Sequence, residues 1–123
     1  MFKKWEEFAL GPRDRDNGLH VTLNEKGEIM IGAKAIDQFE ECEWAILLFD
    51  RWNKFIGVAP SKTKTENAFP LVKKSKGRHR VIRAGRFCKY HGIRVQRTTA
   101  CMAEIDEEGV LVLDLKLIRA AGK

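Results

Sequence analysis

Apolar residues in this chain come in short segments that repeat at every second position, and each segment ends at a turn signal. Leu19, Val21 and Leu23 alternate with His20, Thr22 and Asn24, the period expected of a strand with one face buried and one solvated. Glu25-Lys26-Gly27 supplies a turn with glycine where positive φ is needed, and Glu28-Ile29-Met30-Ile31 returns as the second strand of a hairpin. Glu43 to Asp50 and Lys54 to Val58 form a second hairpin around Asp50-Arg51-Trp52-Asn53. Ala59-Pro60 is expected to stop that pairing, because proline has no amide donor. Glu43 to Asp50 is the most hydrophobic strand and is expected to be buried, with Trp44 in the core.

Two helices interrupt the strands. Ala33 to Glu40 has Ile36 and Phe39 at i, i+3 facing inward, with Lys34, Asp37 and Glu40 facing water. Ala84 to His91 repeats the spacing with Phe87 and Tyr90 and closes on Gly92 as a C-cap. The second half reads Ala68 to Lys74 as a strand placed at an edge by Pro70, a turn at Ser75-Lys76-Gly77, and Arg78 to Arg83 as the returning strand. Beyond the helix come a strand from Thr98 to Ile105, a turn at Asp106-Glu107-Glu108-Gly109 and a closing strand from Val110 to Leu115.

The two halves overlay. Ile31-Gly32-Ala33, Ile36 and Phe39 match Ile82-Arg83-Ala84, Phe87 and Tyr90 at an offset of 51. Ala45-Ile46 and Phe49-Asp50 match Cys101-Met102 and Ile105-Asp106 at an offset of 56. Each half is strand, strand, helix, strand, strand. The expected fold is therefore mainly β with short helices, the halves forming one compact barrel-like or sandwiched sheet in a single domain. Its parts are an N-terminal helical turn and loop (1–18) that docks Phe2, Trp5 and Phe8, a first half (19–60), a connector (61–67), a second half (68–115) and a tail (116–123) expected to fray.

In element order, Val21 to Ile31, the helix ending at Phe39, Ala45 to Asp50 and Phe55 to Val58 resemble the swapped-hairpin DNA-binding domains of the AbrB type. The doubled arrangement is similar to the MraZ type. The resemblance implies a DNA-binding domain in which a strand ending in Ile-Pro leads into a helix, with an arginine four residues after the proline. Here the proline position is Gly32 and the arginine position is Ile36; the second copy has Arg83 and Phe87. Any polyanion contact would come from the second half, since the first helix is acidic.

Charge bears this out along the chain. Residues 1–60 hold 8 Lys/Arg against 11 Asp/Glu, residues 61–100 hold 12 against 1, and residues 101–123 hold 3 against 5. A local excess of this kind is a footprint for DNA or RNA, or for an acidic surface on the same chain, a second copy or another protein. The candidate phosphate contacts are Lys73, Lys74, Lys76, Arg78, Arg80, Arg83, Arg86 and Lys89. Strand alternation sets Arg78 and Arg80 on the face opposite His79 and Val81. Trp52, in a hairpin turn, is the candidate contact for a protein partner or for Trp5 or Phe8 of the N-terminal segment.

Other classes find less support. With 44% hydrophobic and 33% charged residues the composition is that of a folded domain. The longest apolar run, Trp44 to Phe49, is far short of the ~20 residues of a membrane span, and the N-terminus lacks the apolar core of a signal peptide. Cys42, Cys88 and Cys101 are an odd number at no framework-like spacing, which suits reduced thiols in a cytoplasm. No cofactor or small-molecule substrate is evident. Cys88, His91 and Cys101 with Cys42 or His79 lack the two close ligand pairs of a structural zinc site, and Cys88 with His91 lacks an orienting third group for catalysis. The expectation is a non-enzymatic, transcription-regulator-like nucleic-acid binder; the alternative is a protein-interaction or self-assembly module.

Overall fold

The structure, a computed structural model, describes residues 18–74 and 76–120, with backbone only for 117–120. The elements are β1 (Val21–Leu23), β2 (Glu28–Ile31), α1 (Ala33–Asp37), β3 (Trp44–Asp50), β4 (Phe55–Ser61), β5 (Ala68–Pro70), β6 (Arg80–Arg83), α2 (Gly85–His91), β7 (Thr99–Ile105) and β8 (Leu111–Ala120). All eight strands join one antiparallel sheet in the order β5-β3-β4-β8-β7-β1-β2-β6. Just beyond β5, Val72 and Val81 exchange both backbone hydrogen bonds at 2.9 and 2.8 Å. That bridge joins the two ends of the order, so the sheet is a nearly closed barrel.

The halves interleave rather than sit side by side. β1 pairs with β2 but also with β7, and β5 reaches back to β3. β2 pairs with β6 and β4 with β8, each element lying against its counterpart in the other half. Exchanging the halves maps the pairing onto itself. The mainly β architecture of two like halves is thus present, and neither half completes its sheet without the other.

Alternation sets the core. Val21, Leu23, Ile29, Ile31, Ile56, Val58, Ile82, Leu111 and Leu113 are buried at 2% exposure or less and fill the interior with Phe39. Cutting one of these leucines or isoleucines to alanine costs about 2–5 kcal/mol. Two turns share one device: the Asn24 Oδ1 accepts the N–H groups of Lys26 and Glu28 on either side of Gly27 (φ 81°), and the Asp106 Oδ1 accepts those of Glu108 and Val110 on either side of Gly109 (φ 82°). A short acceptor side chain and a left-handed glycine close both hairpins.

Several boundaries differ from the sequence expectations. β4 runs through Pro60, which pairs with Ala45; β8 stops opposite Val58, so beyond that point β4 has a neighbour on one side only and a residue without an N–H fits. β8 continues to Ala120, its far end pairing with Thr99 and Ala100 after a register shift, so most of the expected tail is strand. α1 ends at Asp37 rather than Glu40: Gln38 and Phe39 donate to the Ala35 and Ile36 carbonyls three residues back, and Glu40 and Glu41 then turn left-handed at φ 49° and 64°. The 68–74 strand is split: β5 pairs with β3, and Val72 then turns to β6. Pro70 is in the short terminal strand, as its missing donor requires. β3 is less buried than expected, with Trp44 half-buried and Leu48 48% exposed, since alternation sets Trp44, Ile46 and Leu48 on the face opposite the buried Ala45. Trp5 and Phe8, like the rest of 1–17, lie outside the described residues. Among the described residues no helix is long and apolar enough to cross a membrane.

Candidate nucleic-acid interface

α2, from the second half, packs against the first. Ala84 donates its N–H to the Gly27 carbonyl at 2.9 Å, and a Cβ on Gly27 would stand 2.7 Å from the Gly85 Cα. The β1–β2 turn therefore rests directly on the start of α2, an approach that needs glycine on the turn. This contact opens a groove of about 210 Å³ lined by Leu23, Lys26, Cys88, Lys89, Ile93 and Arg94, among others. Gly92, left-handed at φ 70°, ends α2 and brings the chain back past its last turn, which is how Arg94 arrives beside Lys89.

One carboxylate reports the local field. The Glu28 carboxyl lies below its ordinary value, first through the hydrogen bond donated by the Asn24 side-chain amide at 2.9 Å; desolvation opposes this, and the charges of Lys74, Lys26 and Arg83 add smaller downward shifts. Lys26 therefore belongs both to the groove and to the cations around Glu28.

The cations near the start of β6 are occupied differently. Arg78 Nε and Nη2 donate to the two carboxylate oxygens of Asp37 on α1, each at 3.0 Å. Arg80 Nη1 donates to the carbonyls of Arg78 and His79 at 2.7 and 3.0 Å. Lys74 Nζ lies 3.9 Å from the Glu28 carboxylate. Arg78 precedes β6 rather than lying on it, and both Val81 and Ile82 are buried, so the expected face shared by Arg78 and Arg80 does not form. Lys73, Lys76, Arg83, Arg86 and Lys89 are exposed, with no carboxylate at ion-pair distance among the described residues.

Lys26 was not among the candidates chosen from the sequence; Arg94 lies in the basic segment 62–97 that the sequence marks out but is not one of the eight contacts named from it. Lys26 sits in the half whose net charge is acidic, and nothing local to it signals that its turn lies against α2. Tyr90, expected to face inward, is 83% exposed. The inward face of α2 is Cys88, with Phe87 and His91 half-buried beside it. The His91 ring packs against Phe49 and Phe87 with centroids 4.5 and 4.8 Å away. Trp52 is 92% exposed in the β3–β4 turn, where its backbone N–H donates to the Asp50 Oδ1.

The three cysteines are free thiols. Burial pushes Cys88 up and Cys101 up to about 11, so both stay protonated and pack as small apolar residues. Among the described residues, no group of three His, Cys, Asp or Glu side chains is placed to hold a metal ion. Comparison with protein-family models, curated proteins and solved structures finds no match.

Proposed function

We propose that this chain is a non-enzymatic nucleic-acid-binding protein of the cytoplasm, acting as a regulator through phosphate contacts. The observation that carries the reading is the gathering of Lys26, Lys89 and Arg94 in one groove, with Lys74 and Arg83 joining Lys26 around Glu28. Cations on separate elements held at one surface neutralise successive phosphates and release the counterions those phosphates had condensed. The AbrB-type resemblance of the first half supports the same partner, and three free thiols suit a reducing compartment.

The test is fluorescence anisotropy of a labelled oligonucleotide across a salt series. Three to five phosphate contacts predict a log–log salt slope of roughly −2 to −4.5, and Lys26→Gln with Arg94→Gln should flatten it by about 1.5 while the fold persists. Absence of binding at low salt overturns the reading.

A second reading has its own observation. Trp52 and Leu48 expose large apolar side chains at and near the β3–β4 turn, which favours a protein-interaction or self-assembly module. A mass that rises with concentration in light scattering, and falls back in Trp52→Ala, would select it.

A further inference from the structure

The ring of Tyr90 is the most exposed aromatic on α2, and packing does not explain it. It stands edge-on to His91 with centroids 4.9 Å apart and planes at 88°, and is otherwise 83% exposed. His91 is itself wedged against Phe49 and Phe87, so the base of Tyr90 is braced by a fixed aromatic cluster while the ring remains open. Arg86 lies four residues earlier, on the same side of the helix. Lys89 is its chain neighbour.

The segment that follows separates two grooves. Ile93, Arg94 and Val95 line the groove with Lys26 and Lys89 on one side. On the other they line a groove of about 190 Å³ with Phe49, Lys54 and His91. Arg94 thus sits between cations on both sides, with Tyr90 on the preceding helical turn.

We propose, building on the nucleic-acid reading above, that the ligand is single-stranded and that Tyr90 is a stacking platform for an unpaired base. Arg86, Lys89, Arg94 and Lys26 hold the adjoining phosphates. A duplex keeps its base faces inside the stack, so an open aromatic face gains nothing from it; an unpaired base offers a face of its own. A reader of duplex sequence needs an element that enters a major groove about 12 Å wide. α2 has seven residues and is laid against the sheet by Phe87 and Cys88, which join the core. Sequence preference should be slight, since every base has a π-face.

The experiment compares a fluorescein-labelled oligothymidylate of about 10 nucleotides, within the ~4–16 nucleotides that single-strand-binding folds cover, with a duplex of the same length, using the full chain. The single strand is expected to bind more tightly. Tyr90→Ala should weaken it about tenfold with the salt slope unchanged, and Tyr90→Phe and Tyr90→Trp should restore it. Lys26→Gln should flatten the slope instead. Equal or tighter binding of the duplex with Tyr90→Ala at wild-type affinity overturns the stacking role and leaves phosphate binding standing. No binding of either probe at low salt overturns both.

Discussion

Arg78 grips Asp37 with both arms of its guanidinium, Nε to Oδ1 and Nη2 to Oδ2, each at 3.0 Å. This joins the segment leading into β6 to the C-terminal residue of α1, 41 residues away in sequence. Part of the positive charge in the second half is therefore met inside the molecule. The pair is solvent-exposed, 69% and 49% for the two side chains, so screening leaves it worth less than ~1 kcal/mol. Asp37→Asn should accordingly shift the urea midpoint little. It frees one guanidinium for an outside anion, and the salt slope for oligonucleotide binding should steepen by about 1. A large loss of stability would show that the bridge holds the halves together.

Trp52 is the counterpart on the other reading. Its backbone N–H serves the turn by donating to Asp50, but its side chain is 92% exposed. Trp52→Ala keeps the backbone donor, so unfolding should change by less than ~0.5 kcal/mol. Iodide should quench its emission readily in the dilute protein. Protection from iodide that grows with protein concentration would place Trp52 in a contact between copies.

The element order was legible because the chain punctuates itself: Gly27, Gly92 and Gly109 stand at left-handed positions that other residues adopt at a cost. The symmetric pairing was not, because nothing in the alternation of Val21 and Leu23 says that their strand lies beside Thr99 and Cys101 as well as Met30 and Ile31. The same gap hid the groove. Charge counted along the chain assigns Lys26 to the acidic half, and only the Gly27–Gly85 approach carries it to Lys89 and Arg94. Tyr90 misled for a different reason. The Phe87, Tyr90 spacing matches a buried stripe, yet Cys88 points into the core and rotates Tyr90 outward.

Gly27 and Gly109 separate two costs. Both have φ near +80°, so an alanine at either pays about 1–2 kcal/mol for the left-handed backbone. At Gly109 nothing lies within 4 Å of an added Cβ, whereas at Gly27 the Gly85 Cα lies at 2.7 Å. Gly27→Ala should therefore cost roughly another 1–3 kcal/mol, as a small-to-large change at a close contact. It should also reduce oligonucleotide affinity by displacing Lys26 from α2. Equal destabilisation by the two substitutions in urea titrations would show that the turn and helix do not depend on this approach.

The buried thiols predict how stability changes in alkali. Cys101 ionises in the folded chain near 11, against an ordinary value of 9.0, because burial opposes the thiolate, and Cys88 is shifted in the same direction. The folded state therefore holds these protons after the unfolded chain has released its own. The resulting stability is fully present below pH 9 and is lost as pH rises from 9 to about 11. Cys101→Ala removes the Cys101 share, so its stability relative to the parent should improve across that window by about 2 kcal/mol, starting from a modest cavity cost at neutral pH. Thiol labelling gives a second check at pH 8. Cys42, half-buried, should react with a disulfide reagent in the native protein, and Cys88 and Cys101 only as it unfolds. A native protein that labels all three at one rate would mean that the sheet opens around α2 and β7 far more readily than their packing implies.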